Sequence, residues 1–143
     1  MYKILGSDGH EYGPLSAEKI KKWIAEERVE KKTPVLPDGA DFAWGSAVCH
    51  QHSRRHNREL FARVFRALAP GGRIALRDVV MEPDRTSPRE GALFAVNMLV
   101  HTDSGGTFTL AEYAEDLQSA GFDNPKLQVK HEAMNSVVVA EKP

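Results

Sequence analysis

The sequence predicts an α/β fold: an incomplete sheet of about four strands carrying helices, preceded by a small β-α-β segment. Three observations predict it. An apolar run at Asp41–Val48, a helical-period stripe at Leu60–Leu68 and a second apolar run at Arg73–Val80 make a strand, a helix and a strand. Two further helical stretches, Arg89–His101 and Leu110–Leu117, follow without a strand-length run between them. From Leu127 onward the two-residue alternation of strands returns.

The chain has 143 residues, enough for one ordinary domain or two very small ones. Its 19 basic and 20 acidic residues balance, so no electrostatic footprint for nucleic acid or an anionic membrane follows. Cys49 is the sole cysteine, which excludes an intrachain disulfide and points to a reducing, cytoplasmic compartment. No signal peptide precedes the polar Ser7–Glu11 stretch. The longest apolar run, Gly91–Val100, is broken by Asn97 and falls short of the roughly 20 residues that span a bilayer.

The first segment runs over residues 1–36. Tyr2, Ile4 and Leu5 form a short strand, and Ser7-Asp8-Gly9 is a turn because Asp and Gly tolerate positive φ. Ser16 caps a helix whose Ala17, Ile20, Trp23 and Ile24 share one face, with Glu18 at the positive end of its dipole. Val29, Thr33 and Val35 suggest a return strand that Pro34 restricts to an edge. Tyr2, Asp8-Gly9, Tyr12-Gly13-Pro14-Leu15 and Trp23 together resemble the bacterial branch of GYF-type adaptor domains. That resemblance implies a groove for proline-rich peptides lined by Tyr2, Tyr12 and Trp23. Two departures stand against it: the segment is short, and Glu27-Arg28-Val29 lies near the place of the naming triplet. The alternative is that Tyr12 and Trp23 cover a small core.

The second segment runs over 37–143, and Pro37-Asp38-Gly39 suits the join. Asp41–Val48 reads as a buried strand, and Ser53 caps the helix that follows. Ala69-Pro70-Gly71-Gly72 is expected to end that helix before Arg73–Val80 returns as a parallel, right-handed neighbour. Glu82–Pro88 is a polar loop, and Thr109 with Glu112 is a capping box. Gly121 closes the last helix, and Met134–Ala140 is the last strand.

Several stretches of this segment carry a resemblance when taken together. They are Val48-Cys49-His50-Gln51-His52, Arg66–Arg73, Phe94–His101, Gly105–Thr109 and Ala120-Gly121-Phe122. Over roughly 100 residues the segment resembles the C-terminal portion of class I S-adenosylmethionine-dependent methyltransferases, specifically the small-molecule O-methyltransferases. The resemblance implies the back half of a Rossmann-like sheet, with strands four to seven present and strands one to three absent. It implies that His50 is the base that takes the acceptor's proton and that Asp78 is an acid orienting it, while Thr107 stands where a second acid would.

The donor-binding part is missing from this pattern. The fold holds its donor on a Gly-rich turn between a strand and a helix. Neither Gly71-Gly72 nor Gly105-Gly106 follows a strand and opens a helix. No cofactor is therefore expected for the isolated chain, and S-adenosylmethionine only if it is active. Without a donor, His50 is expected to be a partly exposed histidine beside a helix, lacking a partner. The His and Cys residues show no zinc spacing. A half sheet exposes a strand edge, and the helix around Leu93–Val100 is apolar nearly all round. Both features predict a homo-oligomer, or docking of the first segment on the edge.

Overall fold

The computed structural model describes residues 2–5, 11–26, 35–37, 39–132 and 135–143. The expected turn at Ser7-Asp8-Gly9, the residues Glu27-Arg28-Val29, Thr33 and Pro34, and Met134 lie outside the described residues. The fold is mixed α/β, as expected, and divides into two compact units, Met1–Ala40 and Asp41–Pro143.

In the first unit, β1 (Tyr2–Leu5) lies between β2 (Glu11–Leu15) and β3 (Val35–Pro37), antiparallel to both. The expected β-α-β outline is thus β-β-α-β: Tyr12–Leu15, read as a connection, pairs with β1. Helix α1 (Ala17–Ala25) starts where expected, with the Lys19 N–H donating to Ser16 Oγ at 3.3 Å. Leu15 and Ile20 are buried, and Trp23 packs on them half-buried.

The second unit opens within β4 (Ala40–Ser46), all of which but Ala40 belongs to it, followed by a 3-10 turn (Cys49–Gln51) and α2 (Arg54–Ala67). It continues through β5 (Leu68–Asp78), β6 (Val80–Met81), α3 (Arg89–His101), β7 (Phe108–Thr109) and α4 (Leu110–Ser119). Strands β8 (Asp123–Val129) and β9 (Ser136–Glu141) end it. The sheet order is β4-β5-β9-β8, with β9 antiparallel to both neighbours. Its core holds Phe61 of α2, Ile74 of β5, Leu117 of α4, Phe122 and Val138 of β9, all nearly sealed from solvent. Helix caps fall where the sequence places them: Ser53 Oγ accepts from the His56 N–H, and Thr109 and Glu112 form the reciprocal box.

Two readings are corrected. The apolar run at Asp41–Val48 is not a buried strand. As β4 it lies at the sheet edge, where Ala43 faces the core while Phe42 and Trp44 are 55% and 54% exposed. Ala69-Pro70-Gly71-Gly72 follows the end of α2 at Ala67, as expected, but these residues already belong to β5 rather than preceding it, because the C-terminal residues pair with them. Gly71 N–H donates to Lys142 O at 2.9 Å, and Lys142 N–H donates to Gly72 O at 2.8 Å. The short parallel pair β6–β7, joining Val80 to Phe108 and Met81 to Thr109, was not legible, since two-residue strands carry no periodicity.

Helix α3 spans the expected residues and packs closely on the end of the sheet. A Cβ at Gly91 would stand 2.6 Å from Met81 Sδ and 2.8 Å from Val79 Cγ1, so only glycine fits this approach. Its outer face is bare: Leu93, Val96, Leu99 and Val100 are all exposed. Among the described residues, no helix is long and apolar enough to cross a membrane.

Candidate active site

The site forms where two strands end side by side. β4 gives way to the 3-10 turn that carries His50, and neighbouring β5 ends on Asp78. The expectation of a partly exposed, partnerless His50 is overturned. His50 is buried at 5% exposure, and its Nδ1 lies 2.7 Å from Asp78 Oδ1. The physical reason is that the turn presents both a backbone N–H and the ring to one carboxylate.

Asp78 is itself buried and accepts from four groups. Oδ2 takes the Cys49 N–H at 3.1 Å and the His50 N–H at 3.3 Å; Oδ1 takes the Val79 N–H at 2.9 Å as well as the imidazole. Such a set of donors offsets the cost of burying the carboxylate. A carboxylate can only accept here, so it selects the imidazole tautomer with the proton on Nδ1. Nε2, the other nitrogen, then offers a lone pair and has no hydrogen-bond partner among the described residues.

Other groups fix the histidine. The Phe94 ring of α3 meets the imidazole edge-on, with centroids 4.9 Å apart and planes at 80°. Asn57 Nδ2 donates to Cys49 O at 3.0 Å, and the Gly106 N–H donates to His50 O at 2.9 Å. These residues were missed as site residues. Asn57 had a signal: it lies four before Phe61 and seven before Val64, in phase with the buried stripe of α2. Phe94 opens one of the stretches that carry the family resemblance, but nothing in the sequence says which apolar residue of α3 turns inward, because the packing of the helix decides that.

Cys49 is not a nucleophile in this setting. Burial first, then the negative charges of Asp78 and Asp116, push its thiol well above the ordinary range, so it stays protonated. Burial raises the Tyr113 hydroxyl likewise, and its Oη and Asn57 Oδ1 are buried without a partner among the described residues. Thr107 is buried, and its carbonyl accepts from Arg85 Nη1 at 3.3 Å. Tyr12 and Trp23 sit in the first unit, Tyr12 on β2 and 43% exposed; Tyr2 is in β1, and its side chain lies outside what is described. The described residues contain no cluster of three metal-ligating side chains.

A histidine–aspartate pair at adjacent strand ends suits removal of a proton from a hydroxyl, and sequence comparison bears on which family uses it here. The O-methyltransferase domain family matches residues 26–123. This chain belongs to that family. It is 39% identical to chicken (Gallus gallus) acetylserotonin O-methyltransferase over 58% of its length and 24% of the relative's. It is 35% identical to the 3-hydroxy-5-methyl-1-naphthoate 3-O-methyltransferase of Streptomyces sahachiroi over 60% of its length and 25% of that protein's. Among solved structures it is similar to human N-acetylserotonin methyltransferase in complex with S-adenosylmethionine. The TM-score there is 0.69 and the identity 31%, over 75% of this chain and 30% of that one. The chain thus spans about a quarter of the length of the curated relatives it matches.

Among the described residues, no strand-to-helix connection carries the glycine that a donor such as S-adenosylmethionine calls for. A donor of this class needs glycine where a strand passes into a helix. Among the described residues these connections are Ser16, residues 47–53, residues 82–88 and the direct step from β7 to α4, and none of them holds a glycine.

Proposed function

We propose that this chain carries the proton-removing part of a small-molecule O-methyltransferase site, and that alone it neither binds the methyl donor nor transfers a methyl group. His50 is the base and Asp78 the group that orients it. The observation that carries the reading is the buried 2.7 Å pairing, which leaves Nε2 as the free nitrogen. The acceptor we propose is a phenolic hydroxyl, in keeping with the aromatic acceptor named for the Streptomyces relative and with the Phe94 ring beside His50.

Two measurements test this. Isothermal titration of the chain with S-adenosylmethionine and S-adenosylhomocysteine should give no heat of binding; saturable binding would remove the donor half of the proposal. Addition of 1-naphthol should move the Nε2 resonance of His50 in 15N spectra, and an unmoved resonance at saturating naphthol would remove the base half.

A second reading is that a second copy or a partner chain completes the site. It is favoured by the exposed edge strand β4 and the bare face of α3. For the first unit we carry forward the proposal of a proline-rich-peptide groove at Tyr2, Tyr12 and Trp23, which the exposure of Tyr12 favours. Titrating a panel of such peptides into Trp44→Phe protein, so that Trp23 alone reports, decides it. A silent panel reduces those aromatics to packing.

A further inference from the structure

We infer that the Gly105-Gly106 turn and Thr102 are positioning residues for the His50 imidazole, acting through its backbone; this rests on the reading of His50 as the base. His50 is held from two sides. Asp78 takes its N–H and its Nδ1, at 3.3 and 2.7 Å. On the other side its carbonyl accepts from the Gly106 N–H at 2.9 Å. The turn comes so close that a Cβ at Gly105 would stand 2.4 Å from His50 O, 2.4 Å from Thr102 Oγ1 and 3.2 Å from Gln51 C. The first of these is backbone and has no rotamer to escape into. An added methyl group must therefore displace the His50 peptide.

Thr102 fastens the turn to α3. Its Oγ1 accepts from the Gly105 N–H at 2.8 Å and donates to Met98 O at 2.7 Å. The same helix brings Phe94 against the imidazole. Helix, turn and histidine backbone are thus one connected unit, and a short, charge-assisted bond such as Nδ1–H to Asp78 weakens steeply once its geometry is disturbed. Gly106 behaves differently from its neighbour. A Cβ there meets nothing within 4 Å, and its backbone N–H would survive substitution. The two glycines therefore make an internal control.

The test is 15N spectroscopy of the histidine rings in the full chain, with amide exchange of Val138 and Ala140 reporting that the sheet is intact. Wild-type His50 is expected as the Nδ1–H tautomer. Gly105→Ala should lower the ratio of that tautomer to the Nε2–H form by roughly tenfold or more, the effect of losing one charge-assisted bond. Gly106→Ala should leave it unchanged. Thr102→Val, which keeps the shape of the side chain but removes the hydroxyl that holds the turn, should shift it in the same direction, and Thr102→Ser, which keeps that hydroxyl, should leave it near the wild-type ratio. Wild-type ring spectra in both Gly105→Ala and Thr102→Val would overturn the inference, as would a Gly106→Ala effect equal to that of Gly105→Ala. Because naphthol binding tests the base and the tautomer ratio tests its positioning, failure of one is distinguishable from failure of the other.

Discussion

Four N–H groups converge on the Asp78 carboxylate, and replacing it with asparagine turns one acceptor oxygen into a donor facing them. At least one buried N–H then meets an N–H. Breaking a buried charge-assisted set of this kind costs about 3 kcal/mol. Asp78→Asn should lower the unfolding free energy by that amount in urea titration and remove the Nδ1–H preference of His50; a loss below about 1 kcal/mol would show that the carboxylate is not what holds the turn. Both residues were legible in the sequence only through family spacing. They are 28 positions apart, and no periodicity says that β4 and β5 end together. What the spacing could not convey was burial. Exposure follows from the packing of α3 and the turn after it, and those contacts come from residues 94–106.

Among the elements, α4 shows how local chemistry sets a boundary. Thr109→Ala removes one half of its capping box and should cost about 1 kcal/mol in thermal or urea unfolding. The other half is sensitive to pH. Burial pushes the Glu112 carboxyl up, but the Thr109 N–H and Arg85 together outweigh it and hold the group below its usual value. A carboxyl lowered in the folded state contributes stability that is present above its unfolded value, about pH 4.3. That contribution is lost as pH falls through the folded value. Glu112→Gln should therefore flatten the acid limb of the stability curve below about pH 4.3; an unchanged acid limb would remove this assignment. The end of α2 follows a different rule. Lys142 Nζ reaches across from the chain's last residues to donate to Phe65 O and Leu68 O, both at 2.7 Å, and lies 4.7 Å from the centre of the Phe65 ring. The helix ends ahead of Pro70 as the sequence expects, and the distant lysine satisfies carbonyls at that end while Pro70-Gly71-Gly72 pairs as strand. Local composition could not reveal this. Lys142→Met, which keeps most of the stem but loses the ammonium, should cost roughly 1–2 kcal/mol.

At the scale of the whole molecule, the open question is what meets the β4 edge and the outer face of α3. An edge strand offers unpaired N–H and C=O groups along its length, and β4 carries a single charge, Asp41, while its exposed aromatics, Phe42 and Trp44, favour pairing. Four exposed apolar residues on α3 add a second sticky surface. We propose that a second copy of the chain is the occupant, since antiparallel pairing of one β4 edge with another is self-complementary and closes as a two-fold dimer. Sedimentation over a wide concentration range should then show a monomer–dimer equilibrium. The double variant Trp44→Lys and Leu99→Lys should shift it towards monomer by at least tenfold in Kd, about 1.4 kcal/mol. Both sites are exposed, so the fold should survive, with unfolding free energy at low concentration within about 0.5 kcal/mol of wild type. A wild-type chain that sediments as a monomer at every concentration would sink self-association and leave a different protein as the partner that completes the site.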